Sequence, residues 1–363
     1  MVSRLEGWGV RRRATALAAV IAMLVASAWV WPTVDAYGRA GALFAEAVLA
    51  RPLPWAGPTV EEEVRWPEGG VGLLTRPAAD EQYPALLLVL GAEPAAPDDP
   101  RVQRLLRALA RAGFAVLLAD PEPLIDGRVT PDEVPLLVEG FQALRAHPAV
   151  RPDRVGFLGL SVGGSTQLVA AADPAIAEDV WMVFAIGPYF DAATLTAEVL
   201  GGAYRHDGDL VPWEPDETSV RVTTNTLLAA LPADEVEALR EDSRPATSDG
   251  RLVRDLLEAD SYDAVIALIS RLDGDLRSRL AAVSPAEHLD GLRAPLYLLH
   301  DMDDPFIPPT HSDALADRYS PRAYHRIELF QHVEPRPSDA GILLRDGWRM
   351  LQMFAEVIRE GRD

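Results

Sequence analysis

The residues best suited to chemistry lie in one short run, Gly159-Leu160-Ser161-Val162-Gly163, with Gly164 directly after it. A serine hydroxyl is a weak nucleophile near neutral pH. It needs a base to take its proton and an acid to orient that base. It also needs donors to hold the oxyanion formed when it attacks a carbonyl. Small residues two before and two after Ser161 permit a very tight turn between a strand and a helix. That turn would set the hydroxyl at the positive end of the helix dipole. The context fits, since 154–160 (RVGFLGL) reads as a buried strand and Val162 to Ala172 as a helix.

Partners for the serine lie downstream. The segment 296–308, LYLLHDMDDPFIP, ends a strand at Leu299 and enters a loop with three acids, Asp301, Asp303 and Asp304. Spacing alone does not choose among them. Of the seven histidines, His332 stands just after the strand 325–330, which gives the order nucleophile, acid, base. His325, at the start of that strand, is its rival. The N–H of Val162 is the first candidate oxyanion donor. The second is Ala92, in the turn Gly91-Ala92-Glu93-Pro94 after the strand 85–90.

Composition removes several other chemistries. The 363 residues include no cysteine, so thiol nucleophiles, disulfides and cysteine–metal sites are out. All 34 basic residues are arginine, so no mechanism that needs a lysine amine is available. A net charge of −21 would repel phosphates and argues against nucleic acid as a partner. With 48% hydrophobic and 25% charged residues the chain can bury a core. No metal or organic cofactor is implied.

The elements that must position these residues alternate strand and helix patterns from residue 59 onward, the signature of a mostly parallel sheet covered by helices on both faces. Residues 59–66 and 71–76 flank Pro67-Glu68-Gly69-Gly70 and read as an opening antiparallel hairpin. Unbroken apolar runs at 85–90, 114–119, 180–186 and 295–299 read as central strands. Helices are expected from Asp99 to Gly113, over 131–147, and from about Asp339 to Glu360 at the end. Between 187 and 285 the rhythm stops. An acidic, mostly helical insertion is expected there, packed as a lid over the C-terminal edge of the sheet.

On Gly159 to Gly163 and the acid loop, the chain resembles the α/β-hydrolase superfamily, over roughly 59–360. The superfamily's acid loop is commonly His-Gly-x-x-Asp-x-x-Val-Pro, and His300, Asp304, Ile307 and Pro308 match in register, with Asp301 in place of the glycine. The resemblance selects Asp304 as the triad acid, leaves Asp303 second, and places the base in the loop that holds His332. The phrase RVGFLGLSVGGS is most similar to dienelactone hydrolases and acyl esterases. It implies a serine hydrolase that cleaves a small-molecule ester or related acyl bond through an acyl-enzyme. A peptidase or amidase with the same triad is the first alternative, and a membrane-tethered binding protein that keeps the fold without activity is the second.

Ahead of this domain, Arg4, Arg11, Arg12 and Arg13 precede a charge-free stretch from Ala14 to Val34 that includes Trp29 and Trp31. A helix of about 20 apolar residues spans a bilayer, and basic residues before it predict a cytoplasmic N-terminus. Residues 1–35 therefore read as a single-pass membrane anchor with the domain outside the cytoplasm. Alternatively they form a signal peptide, cleaved after Ala26-Ser27-Ala28 to release a secreted or periplasmic protein. Residues 36–58 read as a connection to the domain at 59–363, with a short helix over 36–50 and a proline-rich linker over 51–58.

Overall fold

The computed structural model describes residues 31–51, 57–67, 70–92, 99–119, 121–272, 274–336 and 339–362. Most of the charge-free N-terminal stretch, over 14–30, lies outside them. Among the described residues, no helix is long and apolar enough to cross a membrane.

Helix α1 (31–47) comes first. The sheet then builds through β1 (Thr59–Arg65), β2 (Val71–Pro77) and β3 (Tyr83–Val89), followed by α2 (Pro100–Ala112) and β4 (Ala115–Ala119). Short α3 (Glu122–Ile125) and longer α4 (Glu133–Arg145) lead to β5 (Val150–Leu160), α5 (Val162–Ala171) and β6 (Val180–Ile186). The insertion comprises α6 (Ala192–Gly201), the hairpin β7 (Ala203–His206) and β8 (Asp209–Pro212), α7 (Glu217–Ala229), α8 (Ala233–Arg240), α9 (Ser248–Glu258), α10 (Tyr262–Ile269) and α11 (Gly274–Ala282). After α12 (Pro285–His288), β9 (Leu296–Asp301), α13 (Thr310–Tyr319) and β10 (Ala323–Ile327) complete the sheet. A small hairpin, β11 (Phe330–Gln331) and β12 (Glu334–Pro335), precedes the closing helix α14 (Ala340–Arg362).

Eight strands form one sheet in the order β1-β2-β4-β3-β5-β6-β9-β10. β2 is antiparallel to both neighbours, and every other pairing is parallel. The apolar runs become the central strands because both faces are covered. β3, for example, is buried at every position. Two apolar clusters lie on the two sides of the sheet, one containing Leu87, Phe141, Phe157 and Leu168, the other Leu88, Leu106, Tyr297 and Met353. Alternate residues of a strand feed opposite clusters, as the pleat requires.

Two elements differ from the sequence expectation. The run 325–330 is not one strand. β10 ends at Ile327, which pairs with Asp301, the last residue of β9, so no partner strand remains beyond it. The Glu328 N–H is instead accepted by Asp346 of α14 at 2.8 Å. The insertion, expected to be mostly helical, also holds the β7–β8 hairpin; its α7 starts at Glu217, capped by the Asp216 carboxylate on the Thr218 N–H at 2.8 Å.

The segment before the sheet is part of the domain's packing. Ala36, Ala40 and Leu43 of α1 are buried in the cluster that contains Met350 and Met353 of α14. Glu46 pairs with Arg111 of α2, and Asp35 accepts from Arg362 at 2.8 Å.

Candidate active site

Ser161 sits between β5 and α5 with φ 56° and ψ −134°, a conformation side chains rarely adopt. The surroundings hold it there. Its N–H donates to Ile186 of β6 at 2.7 Å. A Cβ at Gly163 would lie 2.1 Å from the Leu90 carbonyl, and one at Gly159 would strike the Gln167 amide at 2.4 Å. Small residues around the serine are therefore a steric requirement of the turn. Val162 opens α5, so its N–H is among those left free at a helix start.

Asp304 lies after β9 and is buried. Its Oδ1 accepts the N–H groups of Phe306 at 2.7 Å and Ile307 at 3.0 Å. Its Oδ2 meets His332 Nδ1 at 2.6 Å. Burial alone would raise this carboxyl's pKa. The charge and hydrogen bonds of the His332 and His300 imidazoles outweigh burial and hold it below the usual carboxylate range. Asp303 is different: its side chain is 76% exposed and faces Arg336 at 3.6 Å. That exposure leaves Asp303 as a loop-surface charge.

His332 adopts φ 60° and is buried, and its ring stacks on Phe306 at 4.6 Å between centroids. With Nδ1 on Asp304, its Nε2 is buried and has no hydrogen-bond partner among the described residues. A buried polar atom without a partner calls for an explanation. His332, Ser161, Val162, Gly91 and Ala92 line one cavity of about 650 Å³. His325 lies in β10, outside that lining, and its pKa is lowered by partial burial and by the Arg349 charge, against a raising effect of Asp346.

Several further residues position this group in ways the sequence does not spell out. Asp301 ends β9 fully buried, where its Oδ2 accepts the His332 N–H at 3.0 Å and fixes the backbone of His332. Burial raises its pKa, against the opposing hydrogen bonds. His300 places Nε2 2.9 Å from the Ile307 carbonyl, so that nitrogen carries the proton, and Nδ1 accepts from the Ser312 hydroxyl at 2.6 Å. Gly187 (φ 63°) follows β6, and a Cβ there would come within 3.1 Å of the His332 ring. For Gly187 the signal was a glycine directly after a buried strand, and for His300 and Asp301 it was their place in the acid loop.

The insertion reaches the site. Trp213 Nε1 donates to the Asp304 carbonyl at 3.2 Å, Ser219 donates to the Phe306 carbonyl at 3.0 Å, and α6 and α7 line the cavity.

Behind α5, Glu133 is fully buried and accepts the Thr130 N–H at 2.8 Å. Burial pushes its pKa up to about 8, against the lowering effect of hydrogen bonds from Thr130 and Thr166. The folded state thus holds a proton that the unfolded chain releases at ordinary carboxylate pH. Stability is expected to fall as pH rises from about 4.5 to about 8. Glu133→Gln should raise Tm at pH 9 and change it little at pH 4, as calorimetry across pH would show. Parallel Tm curves for the two proteins would refute this.

No family model matches the chain. A curated relative from Bradyrhizobium sp., a probable 2-oxo-3-(5-oxofuran-2-ylidene)propanoate lactonase, is 29% identical over 173 residues, covering 40% of this chain and 66% of the relative. The match thus spans slightly less than two thirds of that relative. Similar solved structures include an esterase of Pyrococcus furiosus (11% identity, TM-score 0.49, 85% of this chain and 92% of that one). Another is a putative dienelactone hydrolase of Klebsiella pneumoniae (14%, TM-score 0.44, 83% and 100%). A sheet in this order with only its second strand reversed, and a serine on the turn between its fifth strand and the next helix, make up the α/β arrangement that the resemblance to α/β-hydrolases leads one to expect.

Proposed function

We propose that the chain hydrolyses a carboxylic ester or related acyl bond, with Ser161 as nucleophile, His332 as base and Asp304 as the acid that orients it. The observation that carries this reading is the unpartnered, buried Nε2 of His332. Its other nitrogen is held by Asp304, and its ring lines the same cavity as Ser161. A base whose hydrogen bond to the nucleophile tightens only when substrate binds would stand in this way.

His332 takes the Ser161 proton as the oxygen attacks the carbonyl carbon, and Asp304 stabilises the imidazolium. The N–H groups of Val162 and Ala92 hold the oxyanion. The tetrahedral adduct collapses, and His332 returns the proton to the leaving alcohol. Water, deprotonated by the same imidazole, then attacks the acyl-serine; its oxygen leaves in the carboxylic acid and Ser161 recovers its proton. The lactonase relative supports the ester side of the choice, a lactone being an internal ester. In this reading the insertion, through α6 and α7, acts as a lid that shapes the substrate pocket.

The test is to treat the full chain with a fluorophosphonate and locate the adduct by mass spectrometry. Label on Ser161, followed by turnover of p-nitrophenyl esters above peptide anilides, is the expected result. Faster cleavage of the anilides would turn the reading to a peptidase. A folded chain that takes no label would turn it to a binding protein.

A further inference from the structure

The cavity at Ser161 is larger than the reacting bond requires, and it draws its walls from both sides of the sheet. Leu195, Val199 and Val222 of α6 and α7 wall one side. On the other side the lining passes between the sheet and its helices, through Leu43 and Ala47 of α1, Leu105 and Leu109 of α2, and Met350 and Phe354 of α14. Leu43, Leu109 and Met350 belong to one apolar cluster and Val222 to the other, so the sheet's edge near Ser161 divides the cavity into two wings.

The wing under α1 is apolar over most of its lining. Its charged residues gather at one end. Arg101 and Arg104 lie in the first turns of α2, while Leu109 lies deeper along the same helix. Arg101 pairs with Glu334 beside the β11–β12 hairpin, and both side chains are more than half exposed. That pair marks the solvent end of the wing, and the leucines, Met350 and Phe354 its interior. Arg104 keeps a buried Nε without a hydrogen-bond partner among the described residues at that end, and along the apolar remainder of the wing each methylene buried is removed from water.

Building on the hydrolysis proposed above, we infer that this wing holds the unbranched alkyl chain of the substrate, making the substrate class an ester with a long apolar chain. The whole cavity, at about 650 Å³, is in the size range of sites that enclose a small-molecule ligand, which leaves room for an alkyl chain beyond the reacting bond. α1 is essential to this, since Leu43 and Ala47 close the wing from outside the sheet's own crossover helices.

The experiment is a chain-length series with the full chain. p-Nitrophenyl esters from acetate to dodecanoate place the chain on the acyl side, and alkyl acetates place it on the alcohol side. In one of the two series kcat/KM should rise about fourfold per methylene until the wing is filled, the factor that corresponds to ~0.8 kcal/mol. Ala47→Trp, which fills the wing from α1, should lower the ratio of ten-carbon to two-carbon activity in the series that rises at least about tenfold on the same scale. A second readout needs no turnover. The Ser161→Ala chain should bind cis-parinaric acid with a rise in fluorescence, decanoate should displace it, and adding Ala47→Trp should weaken it. Cleavage of acetates with both series flat, or a ratio untouched by Ala47→Trp, overturns the chain-binding inference and leaves hydrolysis standing. Binding of parinaric acid that Ala47→Trp weakens, in a chain that cleaves no ester, upholds the wing and removes the hydrolysis. Neither binding nor cleavage removes both.

Discussion

Ser161→Ala should lower kcat on the best p-nitrophenyl ester by about 10⁵-fold or more, with the circular dichroism spectrum and Tm close to the parent's. The reasoning is chemical. Alanine keeps the backbone turn, since the constraint at 161 comes from the Gly163 approach to Leu90 and the N–H bond to Ile186 and does not depend on the hydroxyl. It removes the hydroxyl oxygen proposed to form the acyl bond. Residual activity would come from the oxyanion donors and binding alone, which leave a small fraction of the rate. A variant within tenfold of the parent would mean that another group is the nucleophile, and the whole assignment would fall with it.

Asp304→Asn should cost about 10⁴-fold in kcat, because it turns the imidazole the wrong way round. Asparagine can still accept the Phe306 and Ile307 N–H groups through its oxygen, so the loop should keep its shape. Its amide then faces His332 Nδ1 as a donor. The ring must answer with a bare Nδ1 and a protonated Nε2, and a protonated Nε2 cannot take the serine's proton. Asp303→Asn provides the contrast, for its exposed carboxylate touches only Arg336 among the pairs described. It should leave kcat within about twofold, as surface substitutions do. If the two variants exchanged these outcomes, Asp303 would be the acid. Steady-state kinetics of both variants, beside a thermal melt of each, make the comparison.

The parts of this site that were legible in the sequence are those whose constraint is local. The tight turn at Ser161 demands small residues at fixed offsets, so the motif announces itself within a few residues. The parallel strands are buried on both faces and show as unbroken apolar runs. Asp304 needed more: three acids stood within four positions, and only the match of the loop to a known pattern chose among them. Asp301 looked like another loop acid, yet it ends β9 and holds the backbone of His332, a contact 31 residues away that no spacing reveals. The start of α7 is a stretch that local propensity does not favour. Its first turns, Glu217 to Thr224, carry several β-branched residues and hydroxyls, which lower helix propensity, and tertiary packing overrides them. The break after Ile327 depends on where the neighbouring strand stops, which is likewise invisible in the run itself.

α1 links the front of the chain to the innermost packing, and this has a mechanical consequence. Tension applied at the start of α1 enters the fold through a helix clamped by Asp35 to Arg362 and by Glu46 to Arg111, and through no described strand of the sheet. The load falls first on those two clamps, one half-exposed and the other largely buried, and on the seam with α14. The first part to yield would be the outer wall of the cavity, with the nucleophile turn still intact between β5 and β6. Any force drawn along that end of the chain would therefore bear on access to the cavity before it touched the chemistry.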